Sequence, residues 1–100
     1  MKSVHTEGYH ELFAKLPPDV QKQARKANRL FEENPYHPSL RFKCIDKKKS
    51  RYSVRVNKSY RVVGRKEGDV IFWYFIGKHS DYDHLYWLIA RIRHYIDVCR

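Results

Sequence analysis

The sequence predicts an α+β domain: helices first, then an antiparallel meander, then a C-terminal helix. Three observations carry that expectation. Apolar residues fall at helical spacing between Pro18 and Glu33. Four strand-like runs follow between Leu40 and Ile76. Helical spacing then returns from Leu85 to Ile96.

In chain order, Met1–Val4 reads as a short strand and the next dozen residues as a helical turn or two ending near Leu16. Leu16-Pro17-Pro18-Asp19 is a helix start, because proline is tolerated in the first turn and an early aspartate suits the helix dipole. Val20, Ala24, Ala27 and Phe31 then step by four, three and four, which makes one face of an amphipathic helix. Lys22, Arg25, Lys26 and Arg29 occupy the other face. Asn34-Pro35-Tyr36-His37-Pro38 stops it, since two prolines in four residues cannot continue a helix.

Leu40–Ile45 and Tyr52–Asn57 alternate apolar with polar or basic residues, as half-buried strands do. Asn57-Lys58-Ser59 connects tightly to Tyr60–Arg65, and Glu67-Gly68-Asp69 turns into Val70–Ile76. That last run is apolar on both sides, so it is expected to be the most buried strand, with its aromatics in the core. Gly77-Lys78-His79-Ser80-Asp81 breaks the pattern before Leu85, Leu88, Ile89, Ile92 and Ile96 mark the C-terminal helix.

One hundred residues fit a single domain over 1–100 with one packed core. The 42% hydrophobic and 15% aromatic content excludes a disordered chain. Two cysteines, Cys44 and Cys99, cannot supply a disulfide framework, and no Cys-x-x-Cys pair points to zinc or redox chemistry. The N-terminus turns polar at once, and the longest apolar run, Val70–Ile76, is far short of the ~20 residues that span a bilayer. A soluble, cytoplasmic protein without membrane association is expected.

The formal net charge is +10. All of it lies in residues 41–66, which hold eleven Lys or Arg and a single acid, Asp46, whereas the remaining chain is balanced. Charge so confined makes a patch, and a basic patch implies a polyanionic partner. If the apolar strand faces pack on the long helix, Arg41, Lys43, Arg55, Arg61 and Arg65 converge on the open side of the sheet. Arg51 and the run Lys47-Lys48-Lys49 extend the candidate RNA-binding set, although a lysine run at a loop tip is often simply solvated.

These residues resemble the RelE/ParE superfamily of bacterial toxin–antitoxin toxins. The resemblance runs from Leu16-Pro17-Pro18-Asp19-Val20 through Asn34-Pro35 to Tyr52-Ser53-Val54-Arg55-Val56, Ser59-Tyr60-Arg61-Val62-Val63 and Phe75-Ile76-Gly77-Lys78-His79. It implies helices on one face of a curved antiparallel sheet. It also implies an antitoxin partner, expected to be acidic, and a homodimer or toxin–antitoxin hetero-oligomer as the assembly. The superfamily offers two activities. RelE-like members are metal-independent endoribonucleases that cut mRNA on the ribosome, and ParE-like members share the fold but inhibit DNA gyrase without a nuclease site.

Cleaving RNA without metal requires attack of a 2′-hydroxyl on the adjacent phosphate. That needs a base, an acid for the leaving oxygen, and cations for charge growing on phosphate. Arg61 stands at the Tyr-Arg-Val position where, by the resemblance, an arginine stabilises the phosphate. His79 follows the last strand where RelE-like toxins carry an arginine or histidine, and imidazole titrates near neutrality. Tyr82 can orient or stack on a base, and Asp83 can fix the imidazole; Ser80 or Asp81 can equally be a helix N-cap there. No histidine set has metal-ligand spacing, so no cofactor or metal is expected. The chain departs from the RelE pattern in having Tyr82 and Tyr86 out of register with the family's C-terminal tyrosine, and in a longer apolar tail from Tyr86 to Arg100.

Overall fold

The computed structural model of the protein describes residues 1–78. They form two helices, a short 3₁₀ turn and a five-stranded mixed sheet. Strand β1 spans Lys2–His5, helix α1 Glu7–Ala14, helix α2 Pro18–Glu33, and the 3₁₀ turn Pro38–Leu40. Strands β2 Lys43–Asp46, β3 Arg51–Arg55, β4 Tyr60–Glu67 and β5 Val70–Lys78 follow. The sheet order is β1-β5-β4-β3-β2. The meander β2 to β5 is antiparallel as the alternation predicts, and β1 adds a parallel edge strand on β5. The C-terminal helix expected from Leu85 to Ile96 lies outside the described residues.

Each helix begins where its sequence supplies a device. The Thr6 hydroxyl accepts the Tyr9 N–H and donates to the Trp73 carbonyl at 2.9 Å, so one side chain caps α1 and ties it to β5. Helix α2 starts at Pro18, and its buried residues are Val20, Ala24, Ala27 and Phe31, the stripe the spacing predicts. That stripe packs on Val54, Val62, Ile71, Trp73 and Ile76 from the sheet. Phe31 is the hinge of the contact, edge-on to both Trp73 and Phe42. Full burial of each such side chain stabilises by about 1.5–3 kcal/mol.

Two turns fix the hairpins. Asn57 accepts the Ser59 and Tyr60 N–H groups on its side-chain oxygen, an Asx turn between β3 and β4. Gly68 takes a positive φ of 61° in the two-residue turn from Glu67 to Val70, which a side chain would strain.

The structure departs from the alternation reading in two places. The first is Leu40–Ile45. Pro38 opens a 3₁₀ turn instead, the His37 Nδ1 accepts the Ser39 N–H at 3.2 Å, and Leu40 drops into the core from that turn. Arg41 follows in the left-handed region at φ 46°, exposed and outside any strand. The second is β5. A bulge between the pairs Val63↔Phe75 and Gly64↔Trp73 leaves Tyr74 as an extra residue. Ile71, Trp73 and Ile76 reach the core, but Phe72, Tyr74 and Phe75 are only half-buried.

Candidate nucleic-acid interface

On β3 and β4, the residues turned away from α2 include four of the five cations, Arg51, Arg55, Arg61 and Arg65. The register pairs Arg51 with Arg65, Ser53 with Val63, and Arg55 with Arg61. Like charges directly opposite on neighbouring strands destabilise a sheet. Two such pairs on one face are therefore an arrangement suited to an anion. Lys43, exposed and paired with Ser53, adds a cation on the same side.

This face is not uniformly open. Ser53 and Val63 at its centre are buried, with Val63 at 0% exposure, so the arginines fall into two groups at opposite ends of β3. At one end, the Asn57 carbonyl accepts Arg61 Nη1 at 2.9 Å and Arg55 Nε at 3.4 Å. Arg61 Nη1 also reaches the Tyr60 carbonyl at 3.3 Å. One backbone oxygen thus gathers both guanidinium groups. Asn57 is itself anchored to α2, its amide donating to Gln23 Oε1 at 2.6 Å. Across β4, Arg61 pairs with Gly77, over which the Phe75 ring lies; a Cβ at Gly77 would stand 2.8 Å from that ring.

At the other end, Lys48, Lys49, Arg51, Arg65 and Tyr74 line a depression of about 580 Å³. The lysine run is a tight turn rather than a loose tip. Asp46, buried at 2% exposure, accepts the Lys49 N–H on its carboxylate, and the Ser50 N–H bonds the Lys47 carbonyl with Ser50 at φ 55°. Ser50 in turn accepts the Lys66 N–H at 2.9 Å, tying the turn to β4. Among the described residues neither Arg51 nor Arg65 has a carboxylate within salt-bridge distance. Tyr74 was missed by the sequence reading, which treated the whole aromatic run as core. Burial raises its phenol above the ordinary value of 10, Asp46 adds to the rise, and Arg51 and Arg65 oppose it. The phenol is consequently a neutral hydrogen-bond donor among cations. The one polar hydroxyl in Val70-Ile71-Phe72-Trp73-Tyr74-Phe75-Ile76 was the available signal.

Of the predicted site residues, Lys48, Lys49, Arg51, Arg55, Arg61 and Arg65 belong to these two groups, and Lys43 on β2 lies beside the Ser53 step between them. Arg41 does not, because the 3₁₀ turn removes it from the sheet, and Lys47 is exposed on the turn without lining the depression. His79 and Tyr82 lie outside the described residues.

A model of the ParE-like toxin domain matches residues 18–84. The chain belongs to this family. Among solved structures, the toxin domain is similar to the RelB–RelE antitoxin–toxin complex from Methanococcus jannaschii, with a TM-score of 0.65 at 17% identity, covering 81% of this chain and 96% of that one. It is similar to an E. coli RelE mutant in the free state, with a TM-score of 0.62 at 20% identity over 91% of this chain and 96% of that one. The E. coli RelBE toxin–antitoxin complex gives 0.57 at 21% identity, over 77% and 94%. No curated protein matches. At these identities the likeness is one of fold, and the toxin domain carries the α+β fold of RelE toxins with helices on one face of the sheet.

The opposite, helix-covered face of the toxin domain offers less chemistry. His5, His10, Tyr9 and Phe13 gather beside Arg25 and Asn28, with the His5 and Tyr9 rings 4.6 Å apart. Burial lowers the His5 pKa, and His10 adds to the fall while Glu32 opposes it. Burial pushes the Tyr9 phenol up to about 12. These groups pack as aromatic surfaces. No cluster of metal-ligating side chains occurs among the described residues, and no helix there is long and apolar enough to cross a membrane.

Proposed function

We propose that this toxin domain is a RelE-like endoribonuclease that cuts mRNA on the ribosome without a metal. The observation that carries the reading is the Arg55–Arg61 pair held on the Asn57 carbonyl. Two guanidinium groups fixed side by side offer donors to a phosphate whose charge grows as a 2′-hydroxyl attacks it. Arg61, at its position in the Tyr-Arg-Val segment, is the principal stabiliser, with Arg55 and Lys43 holding neighbouring phosphates. His79, the residue after Lys78, which pairs with Tyr60, moves the proton at the attacking or leaving oxygen. Tyr82 orients or stacks on a base. The protein acts in the cytoplasm. Its silencing partner is an acidic antitoxin laid across the same cations, a role consistent with RelB–RelE being a complex of antitoxin and toxin.

The test is inducible expression in bacteria, following growth while mapping 5′ ends of cellular mRNA, with Arg61→Ala and His79→Ala as controls. Arrest with new cuts inside coding regions, lost in both variants, is the expected result. Retained cutting in His79→Ala overturns its role. The family model is named for ParE, which keeps a second reading in view. Arrest with intact mRNA and trapped gyrase–DNA complexes would establish a gyrase inhibitor instead.

A further inference from the structure

The depression at the far end of β3 has a chemistry of its own. Strand β5 places Phe72 opposite Arg65 and Trp73 opposite Gly64, so Trp73 enters the core and Tyr74 turns to the arginine side. The bulge then restores Ile76 to the core without withdrawing Tyr74. Gly64 makes this possible, since a Cβ there would stand 2.6 Å from the Trp73 ring and 2.8 Å from the Phe72 carbonyl. The result, among the described residues, is a pocket lined by donors: two guanidinium forks from Arg51 and Arg65, two ammonium groups from Lys48 and Lys49, and the neutral Tyr74 hydroxyl. Asp46, whose charge reaches the Tyr74 phenol, is engaged by the Lys49 N–H and shapes the lysine turn.

We propose that Lys48, Lys49, Arg51, Arg65 and Tyr74 form a second phosphate site that grips the backbone of single-stranded RNA away from the Arg55–Arg61 end. The inference rests on the ribonuclease reading for its ligand. Guanidinium forks match two phosphate oxygens at once, and a hydroxyl that stays protonated donates to a third. Arg51 and Arg55 are four residues apart on one strand, about 13 Å at the usual rise, and both pairs face the same side. A polyanion running along β3 meets the two pairs in turn, with the buried Ser53–Val63 step between them. Phosphate contacts of this kind position a strand without reading its sequence. The far pair therefore sets how much RNA the protein holds, and the near pair holds the phosphate that reacts.

The experiment uses the full chain and fluorescent 2′-O-methyl RNAs, which bind without being cut. Two lengths, about 4 and about 12 nucleotides, fall within the range of single-strand site sizes. Wild-type protein is expected to bind the longer RNA at least tenfold more tightly. Arg51→Gln/Arg65→Gln is expected to abolish that gain, so that the longer RNA binds no more tightly than the shorter. The slope of log affinity against log salt should become shallower by about 1.4, the value for two phosphate contacts on a single strand. Arg61→Gln should weaken both lengths. Arg51→Lys/Arg65→Lys keeps the charges without the forks and should give an intermediate affinity, which separates lost contacts from misfolding. Undiminished long-RNA binding by Arg51→Gln/Arg65→Gln overturns the site. So does loss of binding to a polyglutamate peptide alone, which would assign the pocket to an acidic protein. Because the probe is not cleaved, absence of nuclease activity would overturn the ribonuclease reading and leave this binding result standing.

Discussion

The two ends of the cationic face are built from the same residue types and held in different ways. At the Arg55–Arg61 end the guanidinium groups share one backbone oxygen, which itself belongs to an Asx turn tied to α2. At the Arg51–Arg65 end the cations surround a phenol and a depression, without a carboxylate partner among the described residues. The first end is preorganised and the second is adaptable. Chemistry at a phosphate needs fixed donors, because reorganisation during the reaction is what raises a barrier. Holding a flexible strand needs only favourable charge within reach. The difference teaches that net charge alone does not tell two cationic sites on one face apart; what the charges are fastened to does.

Replacing one arginine at each end should break this symmetry most visibly. Arg61→Ala is expected to lower the cleavage rate at saturating RNA by about 10²–10³, the usual loss on removing one transition-state donor. Arg65→Ala should leave that rate unchanged and raise the RNA concentration needed to reach it. Single-turnover cleavage on programmed ribosomes measures both. Equal losses of rate from the two variants would erase the division of labour. Retention of the far-ultraviolet circular dichroism spectrum shows that either variant is folded.

A smaller effect is expected at the bulge that shapes the adaptable end. Gly64→Ala drives a methyl group into the Trp73 ring and the Phe72 carbonyl, and the second of these is backbone. Overpacking of this sort costs about 1–3 kcal/mol. Thermal unfolding should show a drop of several degrees in Tm, about 4–8 °C per kcal/mol for a domain of this size. Long-RNA binding should fall with it, since Tyr74 follows the bulge, while the Arg55–Arg61 pair three residues away on β4 keeps its Asn57 anchor. An unchanged Tm would mean that the strands already have room there.

The same contrast explains what the sequence disclosed. Helix α2 was legible to the residue, because Pro18 starts it and Val20, Ala24, Ala27 and Phe31 obey a period that no local feature interrupts. The shared face of Lys43, Arg55, Arg61 and Arg65 was legible for the same reason, since strand alternation is a strict rule where pairing is regular, and the register adds Arg51 to it. Arg41 was misplaced because alternation in Leu40–Ile45 imitates a strand, whereas Pro38 and the His37 cap favour a 3₁₀ turn that buries Leu40. Tyr74 was missed because a bulge resets the alternation, and an all-apolar run gives no sign of where the reset falls. Burial of Ser53 and Val63, which divides the face in two, depends on packing that periodicity does not encode.

The smallest expected effect isolates Tyr74 and separates the ends by pH. Tyr74→Phe removes one hydrogen bond to a charged oxygen, about 1.5 kcal/mol or roughly tenfold in long-RNA affinity. The sign of the phenol shift fixes the pH profile. Burial raises its pKa above 10, so the hydroxyl carries its proton throughout the neutral and mildly alkaline range. The affinity ratio of wild type to Tyr74→Phe should therefore be the same at about pH 7 and about pH 9, both below the ordinary phenol value. Cleavage, if His79 transfers the proton, changes between about pH 5 and about pH 8 as imidazole titrates. A ratio that shrinks toward pH 9 would mean that Arg51 and Arg65 overcome burial and ionise the phenol. A tyrosinate would repel the phosphate it is proposed to hold, and the adaptable end would then have to bind through its four cations alone.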